Sequence, residues 1–302
     1  MPYILRKMVL AQVPTVEIAK SEYDSVKPAR AVINELIAIE EKFDAVMENY
    51  VELEQTVHNL GIRELAFVDI HYEELVAPLN LVSRRVSNLL SSTRTYRDAL
   101  PQHAARLLGK NHPAVQPLKG LSRDNPGHPM AYRQMEAARN YAQHVGPPIS
   151  NVTFRRHKDL DEQKKTTGFS FSVVPHMDAD AISKTRDMAP DLRASLKALG
   201  EDVNPMPIIR KYIEHIGTIH VGLRETVKEM EVKSESVMRD LLKRYAAVAP
   251  EEKLMGVAAC FQNPNGSFAN PEYLVEQRLD YFTYLRIKHL TAANLSMRYV
   301  PW

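Results

Sequence analysis

Apolar residues along the chain fall into long stretches of helical rhythm, separated by short stretches that lose it. From Val32, the positions Leu36, Ile39, Phe43, Val46, Tyr50, Leu53, Val57 and Leu60 recur at spacings of four and three. That rhythm keeps one face of an α-helix apolar. Pro28 suits its first turn and Gly61 its end. A second run, Leu75, Leu79, Val82, Val86, Leu89, Thr93, Tyr96 and Leu100, predicts another long helix. Pro78 marks a start or kink there, and Pro101 an end or bend. A shorter helix is predicted from Met130 to the Gly146-Pro147-Pro148 stop. Its narrow stripe is Ala131, Met135, Ala138, Ala142 and Val145. Arg133, Ala137, Asn140 and His144 line the opposite side, with Arg139 on the flank. After Pro205 and Pro207 a fourth stripe runs through Ile209, Ile213, Ile216, His220, Leu223, Val227 and Met230, extended by Val237 and Leu241. Gly217 and Gly222 in it mark close packing or a bend.

Other segments follow different patterns. NVTFRR (151–156) and GFSFSVV (168–174) alternate and are rich in Val, Phe and Thr, which predicts a hairpin with a long charged loop, HKDLDEQKKTT. Residues 1–28 read as an extended N-terminal extension with room for one edge strand. Residues 176–203 are polar, with a short helix near 191–199. The end, 251–302, reads as a C-terminal helical segment: GVAACF, a turn at NPNGSFANP, then a helix over about 271–295. The expected fold is mainly α. Four long amphipathic helices over 29–250 pack as a bundle, crossing near about +20°, with a β-hairpin insertion at about 151–175.

Composition narrows the function classes. At 302 residues, 44% hydrophobic and 25% charged, the chain has ample material for a core. Eleven glycines suit long helices better than a Gly-rich nucleotide fold. A net charge of +2 gives no global field for nucleic acid, so any such site is local. Cys260 is the only cysteine, which excludes an intrachain disulfide and a cysteine zinc site. No secretory signal core and no membrane-length apolar run is present, so a soluble cytoplasmic protein is expected, with no membrane partner. The P-loop, G-x-G-x-x-G, G-x-S-x-G and H-E-x-x-H patterns are all absent.

The chemistry gathers at Arg139-Asn140-Tyr141-Ala142-Gln143-His144, an R-N-x-x-x-H hexapeptide closing the third helix. This stretch resembles the signature of the HEPN superfamily, an arginine, a polar residue and a histidine on the third helix of a four-helix bundle. The segment RRVSNLLSSTRTYRD on the second helix also resembles large prokaryotic HEPN proteins. The resemblance covers 29–150, and 205–247 by architecture alone. It implies a metal-independent endoribonuclease acting as a homodimer, with Arg139, Asn140 and His144 catalytic and no cofactor or metal. It also implies a toxin or antiphage-defence setting, with an antitoxin or defence-system partner. Other members of the superfamily are inactive binding modules or bind nucleotides, so a non-catalytic interaction protein is the alternative.

Elementary chemistry agrees with an RNA-cleaving role. Cutting RNA without a metal needs a base for the ribose 2′-hydroxyl, an acid for the leaving 5′-oxygen and positive charge for the phosphorane. Imidazole serves as acid or base near neutral pH. Guanidinium offers a fork of donors to phosphate. One chain supplies one such histidine, and a two-fold dimer would supply two.

Further RNA-contacting candidates are Arg133, Tyr141, Arg155, Arg156 and Lys158. Arg133 adds phosphate charge or is a surface arginine. Tyr141 stacks on a base or packs against a neighbouring element. The loop cluster tracks an RNA backbone or is a solvated loop whose charge Asp159, Asp161 and Glu162 dilute. His215 and His220 stand five apart and do not form a helical metal pair; His220, on the stripe, reads as a core histidine. His176, Asp178 and Asp180 alternate as ligands do, but read as a charged loop.

Overall fold

A computed structural model of the chain describes residues 2–67, 72–250 and 253–298. The fold is mainly α, with two small antiparallel sheets. In chain order the elements are β1 (Tyr3–Lys7), β2 (Thr15–Ile18), α1 (Lys20–Ala66), α2 (Tyr72–Leu108), α3 (Val115–Lys119), α4 (Met130–His144), β3 (Asn151–Leu160), β4 (Thr166–His176), α5 (Ala179–Ser183), α6 (Pro190–Leu199), α7 (Met206–Val248), β5 (Val257–Gln262), β6 (Phe268–Tyr273) and α8 (Glu276–Lys288), then a 3₁₀ turn at Ala292–Asn294. No described helix is long and apolar enough to cross a membrane.

The chain divides into two compact units. The first comprises Met1–Glu41, Gln102–Val115 and Gly222–Leu290; the second comprises Lys42–Pro101, Gln116–Val221 and Thr291–Trp302.

In the first unit, the sheet runs in the order β2-β1-β5-β6. Ile4 faces Cys260 and Leu5 faces Ala259 across the β1–β5 ladder. Val257, Ala258, Ala259 and Cys260 are all fully buried, which explains the unbroken apolar run of β5. The apolar face of α1 up to Ile39 is buried, as its rhythm demands. Glu40 is the polar exception. It takes Arg224 in a two-pronged ion pair and has Arg286 and His289 close by, with Glu231 paired to Arg286 at 3.1 Å.

In the second unit, Phe43, Val46 and Leu53 of α1 are buried, as are Val82, Val86, Leu89 and Tyr96 of α2 and Ile209, Ile213 and Ile216 of α7. His220 is a core histidine, as its place on the stripe implies. It is 1% exposed, stacked on Phe43 at 3.9 Å and hydrogen-bonded through Nδ1 to the Tyr96 hydroxyl at 2.9 Å. Leu75 of the second stripe lies among residues whose side chains are outside the described set.

Several boundaries depart from the sequence reading. α1 starts at Lys20, so Pro28 is inside the helix, and it passes through Gly61 to Ala66. α2 likewise continues through Pro78 and Pro101. Two strands, not one, precede α1. The C-terminal segment carries β5 and β6 before its helix, and Pro271 lies in a strand. The hairpin strands are longer than expected, which shrinks the charged loop to a turn at 161–165.

Gly217 marks close packing, as its position in the stripe suggested, while Gly222 has open space beside it. A Cβ at Gly217 would lie 2.4 Å from the Ala292 carbonyl oxygen and 2.7 Å from its carbon. Both belong to backbone, which cannot swing aside as a side-chain tip can. Ser296 is tied to the same stretch of helix, its N–H donating to Glu214 at 2.9 Å. Gly217→Ala is expected to cost about 1–3 kcal/mol and to release residues 291–298. A lower urea midpoint with new proteolytic cleavage in that segment is the expected result; an unchanged cleavage pattern would overturn it.

Candidate functional site

α4 begins after Pro129 and ends at His144, where Gly146, Pro147 and Pro148 cannot continue it. His144 therefore lies in the last turn, as the sequence implied. The Val145 and Gly146 N–H groups both return to the Tyr141 carbonyl, closing the helix end.

The two faces of α4 are not as the apolar pattern drew them. From Tyr132 to Ala138 every side chain is buried, on all sides of the helix. The far end opens to solvent: Val145, placed on the apolar stripe, is 64% exposed. Arg133 is therefore no surface residue. It is 2% exposed and forks onto Asp191, Nη1 to Oδ2 at 2.6 Å and Nη2 to Oδ1 at 2.9 Å, while Nε donates to the Arg123 carbonyl at 2.7 Å. That hydrogen bonding holds the Asp191 carboxyl down at about 2. Its fork is fully engaged, and Arg133 leaves the set of RNA-contacting candidates.

The inward side of α4 is fixed by a buried ionic network. Arg97 of α2 is paired with Glu136. The Tyr212 hydroxyl of α7 donates to the other Glu136 oxygen at 2.8 Å. Arg97 also reaches the Tyr132 hydroxyl at 3.3 Å. Burial disfavours the Arg97 charge, but Glu136 and Tyr132 hold its pKa above the ordinary arginine value. Burial, with Glu136 beside it, pushes the Tyr132 hydroxyl up to about 12 and raises Tyr212 as well.

The hexapeptide emerges from this network into two cavities. One, of about 260 Å³, is lined by Arg94, Arg97, Ser122, Arg123, Asp124, Glu136, Arg139 and Asn140, with Leu121 beneath. The other, of about 450 Å³, is lined by Arg123, Asn140, His144, Val145, Lys184, Thr185, Arg186 and Asp187. Asn140 and Arg123 belong to both walls. Arg139 donates to Asn140 Oδ1 at 2.6 Å and to Gln143 Oε1 at 2.7 Å. Its Nε is shielded from solvent and meets no acceptor. His144 is exposed at the mouth of the larger cavity. Asn140 thus joins the wall that carries Arg139 to the wall that carries His144.

Arg94, Arg97, Arg123, Lys184 and Arg186 escaped the sequence reading, since they come from α2, the loop before α4 and the loop after α5. The segment RRVSNLLSSTRTYRD supplied the only hint, for Arg94 and Arg97. Tyr141 is half-buried, and a Cβ at Gly146 would lie 3.9 Å from its ring edge and hydroxyl. Arg155, Arg156 and Lys158 are exposed on β3, not in a loop, and none lines either cavity.

The other histidine and acid candidates have structural partners. Asp178 caps α5 through the Ala181 N–H, Asp180 pairs with Lys184, and His176 lies 2.7 Å from Asp202. Among the described residues no three His, Cys, Asp or Glu side chains converge as metal ligands do. His215 Nε2 meets His128 Nδ1 at 3.2 Å, near Tyr132 and beside Lys211 and Glu214. Burial, then the second imidazole, brings the His215 pKa down to about 4.

No protein-family model, curated protein or solved structure matches the chain. The chain is a mainly helical protein whose hexapeptide borders two cavities rich in arginine, the larger also bearing His144.

Two measurements probe this region. Arg97→Met leaves Glu136 without its charged partner and is expected to cost about 3–5 kcal/mol in urea unfolding, part of which a second change, Glu136→Gln, restores. A double variant no more stable than the single one would overturn the pairing. For His215 the unfolded imidazole titrates near 6.5 and the folded one near 4, so the unfolded chain holds the extra proton between them. Stability is then complete above pH 6.5 and declines as the pH falls toward 4. His215→Gln is expected to make that decline shallower, and an unchanged slope would count against it.

Proposed function

We propose that the chain is a HEPN-type endoribonuclease that cuts RNA without a metal ion and acts as a homodimer. The observation that carries this reading is that Asn140 borders both cavities, with Arg139 on one and His144 on the other, among Arg94, Arg123, Lys184 and Arg186. Cationic side chains suit a polyanion and the charge that builds on phosphorus during transfer. In this reading α1, α2, α4 and α7 are the four helices of the bundle, and the hairpin is an insertion between the last two.

The reaction asks for an acid and a base. One His144 takes the proton of the ribose 2′-hydroxyl as that oxygen attacks phosphorus. The other, from the second protomer, gives a proton to the 5′-oxygen as the P–O5′ bond breaks. The products are a 2′,3′-cyclic phosphate and a 5′-hydroxyl. Arg139 meets the non-bridging oxygens, and Asn140 orients imidazole or phosphate. A toxin or antiphage role, restrained by an antitoxin or defence-system partner, fits such an activity.

A second reading has its own support. The smaller cavity presents Arg94, Arg123 and Arg139 together, a composition that also suits a bound nucleotide or other phosphorylated ligand.

The test is cleavage of RNA in EDTA, with the oligomeric state measured alongside. His144→Ala is expected to lose at least about 100-fold in rate while remaining folded and dimeric. Equal cleavage by both proteins, or a strictly monomeric wild type, would sink the proposal. Nucleotides that raise the melting temperature of a chain that cuts nothing would favour the second reading.

A further inference from the structure

The β3–β4 ribbon segregates its charges by face, which the sequence alone conceals. In the antiparallel ladder Phe154 faces Val173, Arg156 faces Phe171 and Lys158 faces Phe169. Directly opposed residues share a face. One face therefore carries Phe154, Arg156, Lys158, Phe169, Phe171 and Val173. The other carries Arg155, His157 and Asp159 opposite Ser172, Ser170 and Gly168.

Along the first face, burial gives way to exposure. Val173, near the base, is buried, Phe171 is half-buried, and Phe169 is 45% exposed. The Arg156 guanidinium lies 4.3 Å from the Phe169 ring centre and 5.4 Å from that of Phe171. Two of the acids that dilute the charge in sequence are placed elsewhere. Asp159 is on the opposite face, accepting from the Ser170 hydroxyl at 3.4 Å. Asp161 is spent in the turn, where its Oδ1 accepts the N–H groups of Gln163 at 3.0 Å and Lys165 at 2.8 Å. The distal face keeps a guanidinium layered on exposed phenyl with a lysine beside it, and the turn at the tip carries Lys164 and Lys165 with Glu162 as the one acid left among them.

We propose that this distal face binds single-stranded RNA, one base stacking on the Arg156–Phe169 layer and the adjoining phosphates meeting Lys158 and the turn lysines. Unpaired bases stack on aromatic rings and guanidinium planes, whereas a duplex hides its bases. Charge complementarity favours an anionic occupant, and the phenyl rings favour one with free π-faces. The inference rests on the ribonuclease reading and names its substrate as unpaired RNA held away from the cleft.

The test uses the full chain carrying His144→Ala and a labelled oligoribonucleotide of about 12 residues, single-stranded or annealed to its complement. Fluorescence anisotropy is expected to show tighter binding of the single strand. Phe169→Ala is expected to weaken it about tenfold, Phe169→Tyr to preserve it, and Lys158→Ala to flatten its salt dependence. Duplex preference, indifference to Phe169→Ala, or full binding by Phe169→Leu would overturn the proposal. So would binding of neither RNA with self-association lost in Phe169→Ala, which would give the face to a protein. Cleavage that depends on His144 while binding ignores Phe169 ends this inference and leaves the nuclease standing. Phe169-dependent binding by a chain that never cuts does the reverse.

Discussion

The ion pair between Arg97 and Glu136 is the constraint on which the second unit depends. Two charges withdrawn from water are costly, and attraction repays the cost only when every donor and acceptor is answered. Here Glu136 has Arg97 on one oxygen and the Tyr212 hydroxyl on the other, and Arg97 also reaches Tyr132. The network ties α2, α4 and α7 through side chains that tolerate little displacement. It also sets the rotation of α4. Asn140 and His144 follow Glu136 at intervals of four residues, each turned by about 40° from the last. Locking the carboxylate inward carries the next two positions from the interior to the cavity walls.

The first unit uses a similar device in a different place. Glu40 lies among Arg224, Arg286 and His289, with Glu231 adding a second acid. A buried carboxylate surrounded by cations specifies one arrangement of its helices more sharply than apolar contact does, because a shifted register would strand a charge. Glu40 does not stand out in the sequence, where it reads as an ordinary helical glutamate.

The long helices and their buried faces were legible from rhythm alone, and so was the helix end that puts His144 in a last turn. Proline proved the weakest signal. Pro28, Pro78 and Pro101 each lie within a helix, the local cost being outweighed by the apolar face on either side. The first-unit sheet was largely hidden, since its central pairing joins Ile4 to Cys260 and no local pattern reports a partner that distant. For the cleft, the hexapeptide declared itself but its cationic surroundings did not. Arg133 shows why helical angle misleads: a charge opposite an apolar stripe looks solvent-facing until a carboxylate 58 residues onward covers it.

Arg139 gives its two terminal nitrogens to its own helix, through the amide oxygens of Asn140 and Gln143. Docking an anion there is consequently a trade of partners rather than a simple addition. An anion that reaches Arg139 therefore displaces the oxygens of its own asparagine and glutamine before it meets the guanidinium.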